Sequence, residues 1–498
     1  MVAEHPFQFD GGNEHFRTAI IATLGPASSG PDVLGRLVDA GASMFRLNFS
    51  HGTLEEHGRT LEDLRAVSRE RDVPVAVLGD LSGPKIRLVE VEGDGVELEE
   101  GVDVILDPTC TLVLQEEPTR LGCSLPPVLE SIEPGQRVLI DDGQIRLRAT
   151  GCSGGCVQCT VETGGRISTH KGINLPDSGL MIDLPTEADR TCAAWALERG
   201  LDWLAMSFVR TAADIESLEA HLESCAGSDD RSIPIIAKME VPSAIEHAAS
   251  IIDAADAIMV ARGDLGVELD YAQVPAIQKH LLSLGRDAGI PCIIATQMLQ
   301  SMIESPTPTR AEASDVANSI FDGADGVMLS GETAVGQYPV EAVAAMNRIT
   351  RATEASMRSM HLESGGDLEA PRCELPGAPG SPVHMAWTMA RESNVRCIVV
   401  PSSSGRRARL LSRNNFLLPV LALSPEERVV RRMLLYRGVT PVQVDSMPAA
   451  EDMVETAERL VRDRGWAVDG DSILVMADEP GPDGNEPDPV VHRLGSEG

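Results

Sequence analysis

Residues 233–268, IPIIAKMEVPSAIEHAASIIDAADAIMVARGDLGVE, carry the pattern that decides the fold. A short apolar run, Ile233–Ala237, closes on Lys238 and Glu240, a helical pattern follows, and a second run, Ile258–Val260, closes on Arg262 and Asp264. Runs this short and this uniformly apolar fit strands buried on both faces, and alternation with helices makes the sheet parallel. The same unit recurs on either side, with runs at Ile20–Thr23, Met44–Leu47, Val75–Leu78, Trp203–Met206, Cys292–Ala295 and Val327–Leu329. Eight units predict a closed (β/α)8 TIM barrel. The rival, a doubly wound open sheet, lacks a GxGxxG turn after its first strand.

The rhythm breaks once, between the third and fourth runs, where glycine-bounded segments such as VELEEGVDVIL and QRVLIDDGQIRLRAT read as an inserted β domain. An insertion in that loop lies over the C-terminal mouth of the barrel, so we expect a small β-barrel lid. The expected organisation is an N-terminal tail over 1–17, a barrel over 18–87 and 170–354, the lid over 88–169, a linker over 355–380 rich in Gly, Pro and Glu, and a C-terminal α/β domain over 381–498. Strands of that last domain are expected at Cys397–Val400, Val420–Ala422 and Ile473–Met476.

The formal net charge of −34 excludes nucleic acid and anionic membrane as partners, because both demand a basic footprint. No export signal and no long apolar span is legible, so the chain reads as cytoplasmic with reduced thiols. Cys152, Cys156 and Cys159 cluster, with Cys110 or Cys123 as a fourth candidate, but the spacing is not a zinc knuckle and the reading favours unliganded thiols. Of 42 basic residues only Lys85, Lys171, Lys238 and Lys279 are lysine. A lysine that resists a general replacement by arginine marks a place where a compact ammonium is needed.

The polar residues that close the runs are Arg46, Asn48 and Ser50, then Asp80, Ser207, Lys238 with Glu240, Arg262 with Asp264, Thr296, and Ser330 with Glu332. Polar strand caps are common taken singly. Together, these side chains should converge on one mouth. Lys238 and Glu240 share a strand face, and with Asp264 they suit a hard divalent cation facing a lysine, the pairing that phosphoryl transfer requires.

Nine motifs, TLGPAS, FRLNFSHG, GPKIR, KGINLP, AKME, MVARGDLGVE, ATQMLQSM, PTRAEASDVANSIFDGADGVMLSGETA and YPVEAV, stand in the order found in pyruvate kinases, which this chain resembles over roughly residues 18–350. The resemblance implies transfer of the phosphoryl group of phosphoenolpyruvate to ADP in glycolysis, giving pyruvate and ATP. It implies Mg2+ on Glu240 and Asp264, with Mn2+ as a substitute. Lys238 would stabilise the transferring group and the enolate, Arg46 would hold the phosphate, and Gly263, Asp264 and Thr296 would seat the carboxylate, with Ser207 also at the substrate. Thr296 and Ser330 would order a water relay for protonation at carbon. His51, Arg87, Lys171 and Asn48 match nucleotide positions, and Asp142 resembles a residue facing the nucleotide's metal. A homotetramer is the family's common assembly. A catalytically silent phosphometabolite-binding sensor on the same fold is the alternative function, and a carbon–carbon lyase barrel would not explain the lid.

Two departures carry expectations of their own. Many family members have glutamate where Lys85 stands and need K+; a fixed ammonium supplies that charge, so K+ should be dispensable, although Asn48, Ser50 and Asp80 retain the oxygens of a monovalent site. The turn Ser402, Ser403, Ser404, Gly405, Arg406 and Arg407 resembles the family's allosteric effector loop, and helix N-termini bind phosphate, although such residues also cap ordinary turns. The loop at 477–489 is acidic, so a sugar monophosphate, AMP or no effector is expected in place of fructose-1,6-bisphosphate. Surface charge is screened beyond about 8 Å at physiological salt, and Arg46, Arg87, Lys171, Lys238 and bound Mg2+ should make the mouth locally basic.

Overall fold

The structure, a computed structural model, describes residues 18–178, 182–227, 232–363, 382–413, 418–449, 451–476 and 488–495. The tail 1–17, most of the expected linker and most of the acidic loop at 477–489 lie outside them. The eight expected runs are eight parallel strands of one closed barrel: Ala19–Thr23, Met44–Asn48, Ala76–Asp80, Trp203–Met206, Ile235–Met239, Ala257–Ala261, Cys292–Ala295 and Gly326–Leu329. The fifth begins after Pro234 and runs through Lys238, two residues beyond the expected end. A run judged by apolarity stops at the first charge, whereas the hydrogen-bonded strand continues, with Lys238 in register with Met259.

Alternation explains both faces of the wall. Ile21, Met44, Leu78, Trp203, Ala205, Ile236, Met259 and Met328 fill the interior, while Ile20, Phe45, Val77, Leu204, Ala237, Val260 and Ile294 pack outward on the helices. Several of those helices start on reciprocal capping boxes, at Thr53 with Glu56, Thr186 with Asp189 and Thr309 with Glu312. The barrel floor repeats a device the sequence reading did not notice. Asp202, Asp256 and Asp325 each stand just before a strand and accept the amide of Val77, Ile235 or Cys292 on a neighbouring strand, at 2.8, 2.9 and 2.8 Å.

The insertion is a curled seven-stranded sheet with its own core, accompanied by two two-stranded ribbons. Its outer strands are joined by a single bridge, Leu88–Cys123, and it recruits Ile86–Arg87 and Gly172–Asn174 from just outside the expected bounds. It rests on the barrel through Asn174, whose amide donates to Glu268 Oε1 at 2.8 Å. Cys159 faces the lid core while Cys152 is exposed, so the three clustered thiols do not share one environment. The last barrel helix, Pro339–Glu363, runs into the stretch expected to be linker.

The C-terminal domain is a five-stranded sheet flanked by helices. Two of its strands were not foreseen: Val439–Gln443, disguised by Pro441 and placed at the edge where proline is tolerated, and the antiparallel Val490–Arg493. The domain docks under the barrel. Leu435 is fully buried in the interior cluster of the barrel, Tyr436 packs edge-on against Trp203, and Arg431 Nε donates to Asp202 Oδ1 at 2.7 Å. No helix among the described residues is long and apolar enough to cross a membrane. Truncating a buried leucine costs about 2–5 kcal/mol, so Leu435→Ala should lower the thermal unfolding midpoint clearly; an unchanged midpoint would show that the docked loop does not support the barrel.

Candidate active site

Interior alternation continues past the apolar layers to the C-terminal rim, where the inward positions turn polar: Arg46 and Asn48 after Met44, Asp80 after Leu78, Ser207 after Ala205, Lys238 and Glu240 after Ile236. The result is a buried charge cluster. Lys238 Nζ donates to Ser207 Oγ at 2.6 Å and lies 3.4 Å from Asp80 Oδ1 and 3.3 Å from Glu240 Oε2. Ser207 in turn donates to the Leu81 carbonyl at 2.7 Å, which fixes its hydroxyl as an acceptor for lysine. Arg46 Nε pairs with Asp80 Oδ2 at 2.6 Å, and its Nη1 reaches Thr23 Oγ1 at 3.2 Å.

Burial by itself would depress the Lys238 pKa, but Asp80, Glu240 and Asp264 outweigh it and hold the ammonium above the ordinary lysine value. Burial likewise opposes ionisation of Asp80, yet Arg46 and Lys238 keep it below the usual carboxylate range. Glu240 goes the other way: burial pushes it up to about 7, and neighbouring Asp264 adds to the rise that Lys238 only partly offsets. Two buried carboxylate oxygens, Asp80 Oδ1 and Glu240 Oε2, are ion-paired with Lys238 at 3.4 and 3.3 Å and accept no further hydrogen bond. Hard oxygen donors that keep spare lone pairs in this way, with Asp264 at the rim, fit a divalent cation of the Mg2+ class. Among the described residues no three His, Cys, Asp or Glu side chains form a metal cluster, so such an ion would draw its remaining ligands from water or substrate.

The backbone at the mouth is strained. Phe208, Thr296 and Gln297 have φ of 58°, 70° and 55°, conformations that cost about 1–3 kcal/mol each for residues with side chains and gather at functional sites. Phe208 donates its amide to Glu240 Oε1 at 2.8 Å, a positioning role the sequence reading missed. The Thr296 hydroxyl accepts from Gly263 N at 2.6 Å and lies 2.6 Å from the Ala295 carbonyl, so the Gly263 amide is engaged by Thr296 in this structure.

A small cavity of about 70 Å3 contains Arg46, Asn48, Ser50, Asp80, Lys85, Ser207, Lys238, Glu240, Asp264 and Thr296 in its walls. Beside it, under the lid, opens a cleft of about 840 Å3 that takes in Lys85, Arg87, Asp141, Asp142, Lys171 and Asp264. Lys85 and Asp264 belong to both. The lysines at 85, 171 and 238 therefore surround one mouth, while Lys279 pairs with Asp322 on a helix surface. Lys85 is exposed to solvent within this open cleft yet crowded by neighbouring atoms; loss of hydration, then Lys238, lowers its pKa. Lys171 pairs with Asp141 at 2.8 Å, Arg87 Nη1 donates to the His170 carbonyl at 3.0 Å, and Asp142 is raised by burial and by Asp264 across the cleft. His51 stands exposed at the rim, its pKa lowered first by partial burial and then by Lys85, Arg87 and Arg46.

Several expected members are elsewhere. Arg262 turns away from the mouth, bonding Asp315 at 2.8 Å and the Thr296 carbonyl at 3.1 Å, so it braces the strained loop. Glu332 is fully buried and accepts the amides of Leu299 and Ser330 at 3.0 and 2.8 Å. Ser330 lines neither cavity, and its hydroxyl is buried without a partner. The cleft walls hold Lys85, Arg87, Lys171 and Arg210 against Asp141, Asp142, Asp177, Asp214, Glu246, Asp264 and Glu268, while Arg46 and Lys238 line the small cavity instead. The sequence reading did not single out most of these carboxylates, which lid and loops bring to the same space. In the C-terminal domain, Ser402–Arg407 does form a strand-to-helix turn, with Gly405 at φ 82° and the Ser402 and Ser404 hydroxyls accepting the Ala408 and Arg406 amides, each at 3.4 Å.

The chain matches the family model described as pyruvate kinase, barrel domain, over residues 15–343, and the one described as pyruvate kinase, alpha/beta domain, over 382–486. It belongs to the pyruvate kinase family. Similar relatives include a pyruvate kinase of Agrobacterium vitis, 41% identical over 472 residues that cover 93% of this chain and 94% of the relative. One from Thermotoga maritima is 33% identical over 464 residues, covering 93% and 96%. The crystal structure of a pyruvate kinase from Cryptosporidium parvum superposes with a TM-score of 0.87 at 31% identity, covering 96% of each chain. Membership in this family makes the chain a phosphotransferase. Removing one partner of a buried ion pair costs about 3–5 kcal/mol; Asp80→Ala leaves Arg46 and Lys238 facing each other and should lower the unfolding midpoint accordingly, whereas an unchanged midpoint would show that the charges are not coupled through Asp80.

Proposed function

We propose that this protein transfers the phosphoryl group of phosphoenolpyruvate to ADP, giving pyruvate and ATP, with Mg2+ or Mn2+ required and K+ dispensable. The observation that carries the reading is the Lys238 ammonium, held between Ser207, Asp80 and Glu240 at the mouth of the barrel with a lid cleft beside it. In the reaction the enol C–O–P linkage breaks at phosphorus and a bond forms to a terminal oxygen of ADP. The electron pair stays on the enolate oxygen, and a proton from water is then added at carbon. Arg46 clamps the phosphate, Lys238 faces the charge that develops between phosphorus and enolate, and Ser207 and Phe208 keep Lys238 and Glu240 in place. Thr296, with Gly263 and Asp264, seats the carboxylate, and Thr296 orders the protonating water. Glu240 and Asp264 would hold the divalent ion, which when bound supplies Lewis-acid stabilisation of the substrate oxygens. Arg87 and Lys171 in the cleft, with His51 at the rim and Asn48 from the small cavity, receive the nucleotide, with Asp142 toward its metal; walls this rich in carboxylates favour a metal-complexed nucleotide over a bare polyanion.

Lys85 shares its cavity with Asn48, Ser50 and Asp80, the oxygens that would otherwise hold a monovalent cation, and this supports the loss of a K+ requirement. We assign the protein to the cytoplasm and to a homotetramer, with Ser402–Arg407 as a site for a phosphorylated effector other than fructose-1,6-bisphosphate. A lactate-dehydrogenase-coupled assay should show pyruvate formation that needs both ADP and Mg2+; binding of phosphoenolpyruvate without turnover would point to the silent sensor instead. Turnover should be comparable in sodium-only and potassium buffers, and Lys85→Glu should become slow in sodium and respond to potassium. A strong potassium stimulation of the unaltered protein would refute the role given to Lys85.

A further inference from the structure

The seam between the barrel floor and the C-terminal domain holds a concentration of positive charge, on the opposite end of the barrel from the active site. Arg286 from helix Val274–Ala288, Arg413 from helix Arg406–Arg413, and Arg437 beyond the docked loop line one cavity of about 40 Å3 with Ser412, Gly323 and Met357. Arg413 is buried and already paired, its Nη1 bonding Asp325 Oδ2 at 2.6 Å and the Ile290 carbonyl at 3.1 Å. The other two have weaker company. Half-buried Arg437 donates to the thioether of Met357 at 3.4 Å, and Arg286 Nη2 to the Ser283 hydroxyl at 3.4 Å. The Nε atoms of Arg286 and Arg413 are buried with no partner.

Three guanidiniums thus share a space that Asp325 and Glu354 serve with two carboxylates, and Glu354 also accepts the Thr18 amide and hydroxyl. Arg286 and Arg437 weigh on Arg413, and Arg286 weighs on Arg437. Burial, then Arg437 and Arg286, pull Arg413 down to about 10, and burial with Arg286 lowers Arg437 despite Glu354. Uncompensated charge away from water is costly, and a bound anion is the direct remedy. A single water needs about 10–15 Å3 of such volume, so this cavity has room for a few water-sized groups, the size of a tetrahedral oxyanion.

We propose that Arg286, Arg413 and Arg437 form a binding site for a small tetrahedral oxyanion of the phosphate class, which ties the C-terminal domain to the barrel floor. Guanidinium forks match such oxygens in geometry as well as charge. The site is separate from the mouth and from Ser402–Arg407, so it does not rest on the proposed catalytic roles.

The test follows the thermal unfolding midpoint of the full chain against inorganic phosphate. The double variant Arg286→Gln, Arg437→Gln should show a smaller phosphate-dependent rise than the unaltered protein, together with a midpoint in phosphate-free buffer that is equal or higher because repulsion has been relieved. An equal rise in both proteins would overturn the proposal. Crystals soaked in selenate give a reading that does not depend on the variant: an anomalous peak among the three arginines is expected, and its absence in crystals that bind selenate elsewhere would contradict the site.

Discussion

A lysine buried against two carboxylates is the feature from which the rest of this molecule's design can be argued. Lys238 has Asp80 and Glu240 within 3.4 Å and Ser207 at 2.6 Å, all on the inner face of the barrel wall. Burying such a cluster gives little net stability, because desolvation offsets much of the Coulombic gain. Its value is preorganisation: an ammonium and carboxylate oxygens already in place where charge will develop. The strands make this cheap to position. Ile236, Lys238 and Glu240 follow each other inward at every second residue, so the same alternation that fills the barrel with apolar side chains delivers the charges to its rim.

The surroundings are arranged to keep that cluster fixed. Strain at Phe208, Thr296 and Gln297 is held by Glu240, by Arg262 with Asp315, and by Glu332, none of which is free to relax without disturbing the mouth. The lid adds a cleft whose cations are matched or exceeded by carboxylates, so recognition of an anionic nucleotide relies on a few placed contacts and on divalent metal. At the far end, Leu435 and Arg431 anchor the C-terminal domain into the barrel floor, which makes that floor a shared surface rather than a free one.

Much of this was legible in the residues. Eight apolar runs gave eight strands because a strand buried on both faces has little choice of composition, and the polar residues closing them marked Arg46, Asp80, Lys238 and Asp264 as neighbours. The scarcity of lysine singled out three of the mouth's residues without any comparison. What the sequence concealed has physical causes. A strand carrying a charge or a proline, as at Lys238 or Pro441, does not advertise its length. Arg262 and Glu332 sit at strand ends like their catalytic-looking neighbours, and only the turn of the backbone decides that they brace loops. Phe208 contributes through its amide, which no side-chain pattern announces.

The central claim is that the Lys238 ammonium, fixed by its carboxylates, is the group on which phosphoryl transfer depends. The direct measurement is steady-state turnover with phosphoenolpyruvate, ADP and Mg2+ for Lys238→Met beside the unaltered protein, with circular dichroism to verify folding. Loss of a preorganised charge of this kind costs on the order of 10²–10³ in kcat, and a fall of that size in a folded variant is the predicted result. A folded Lys238→Met protein with kcat near that of the unaltered chain would contradict the account.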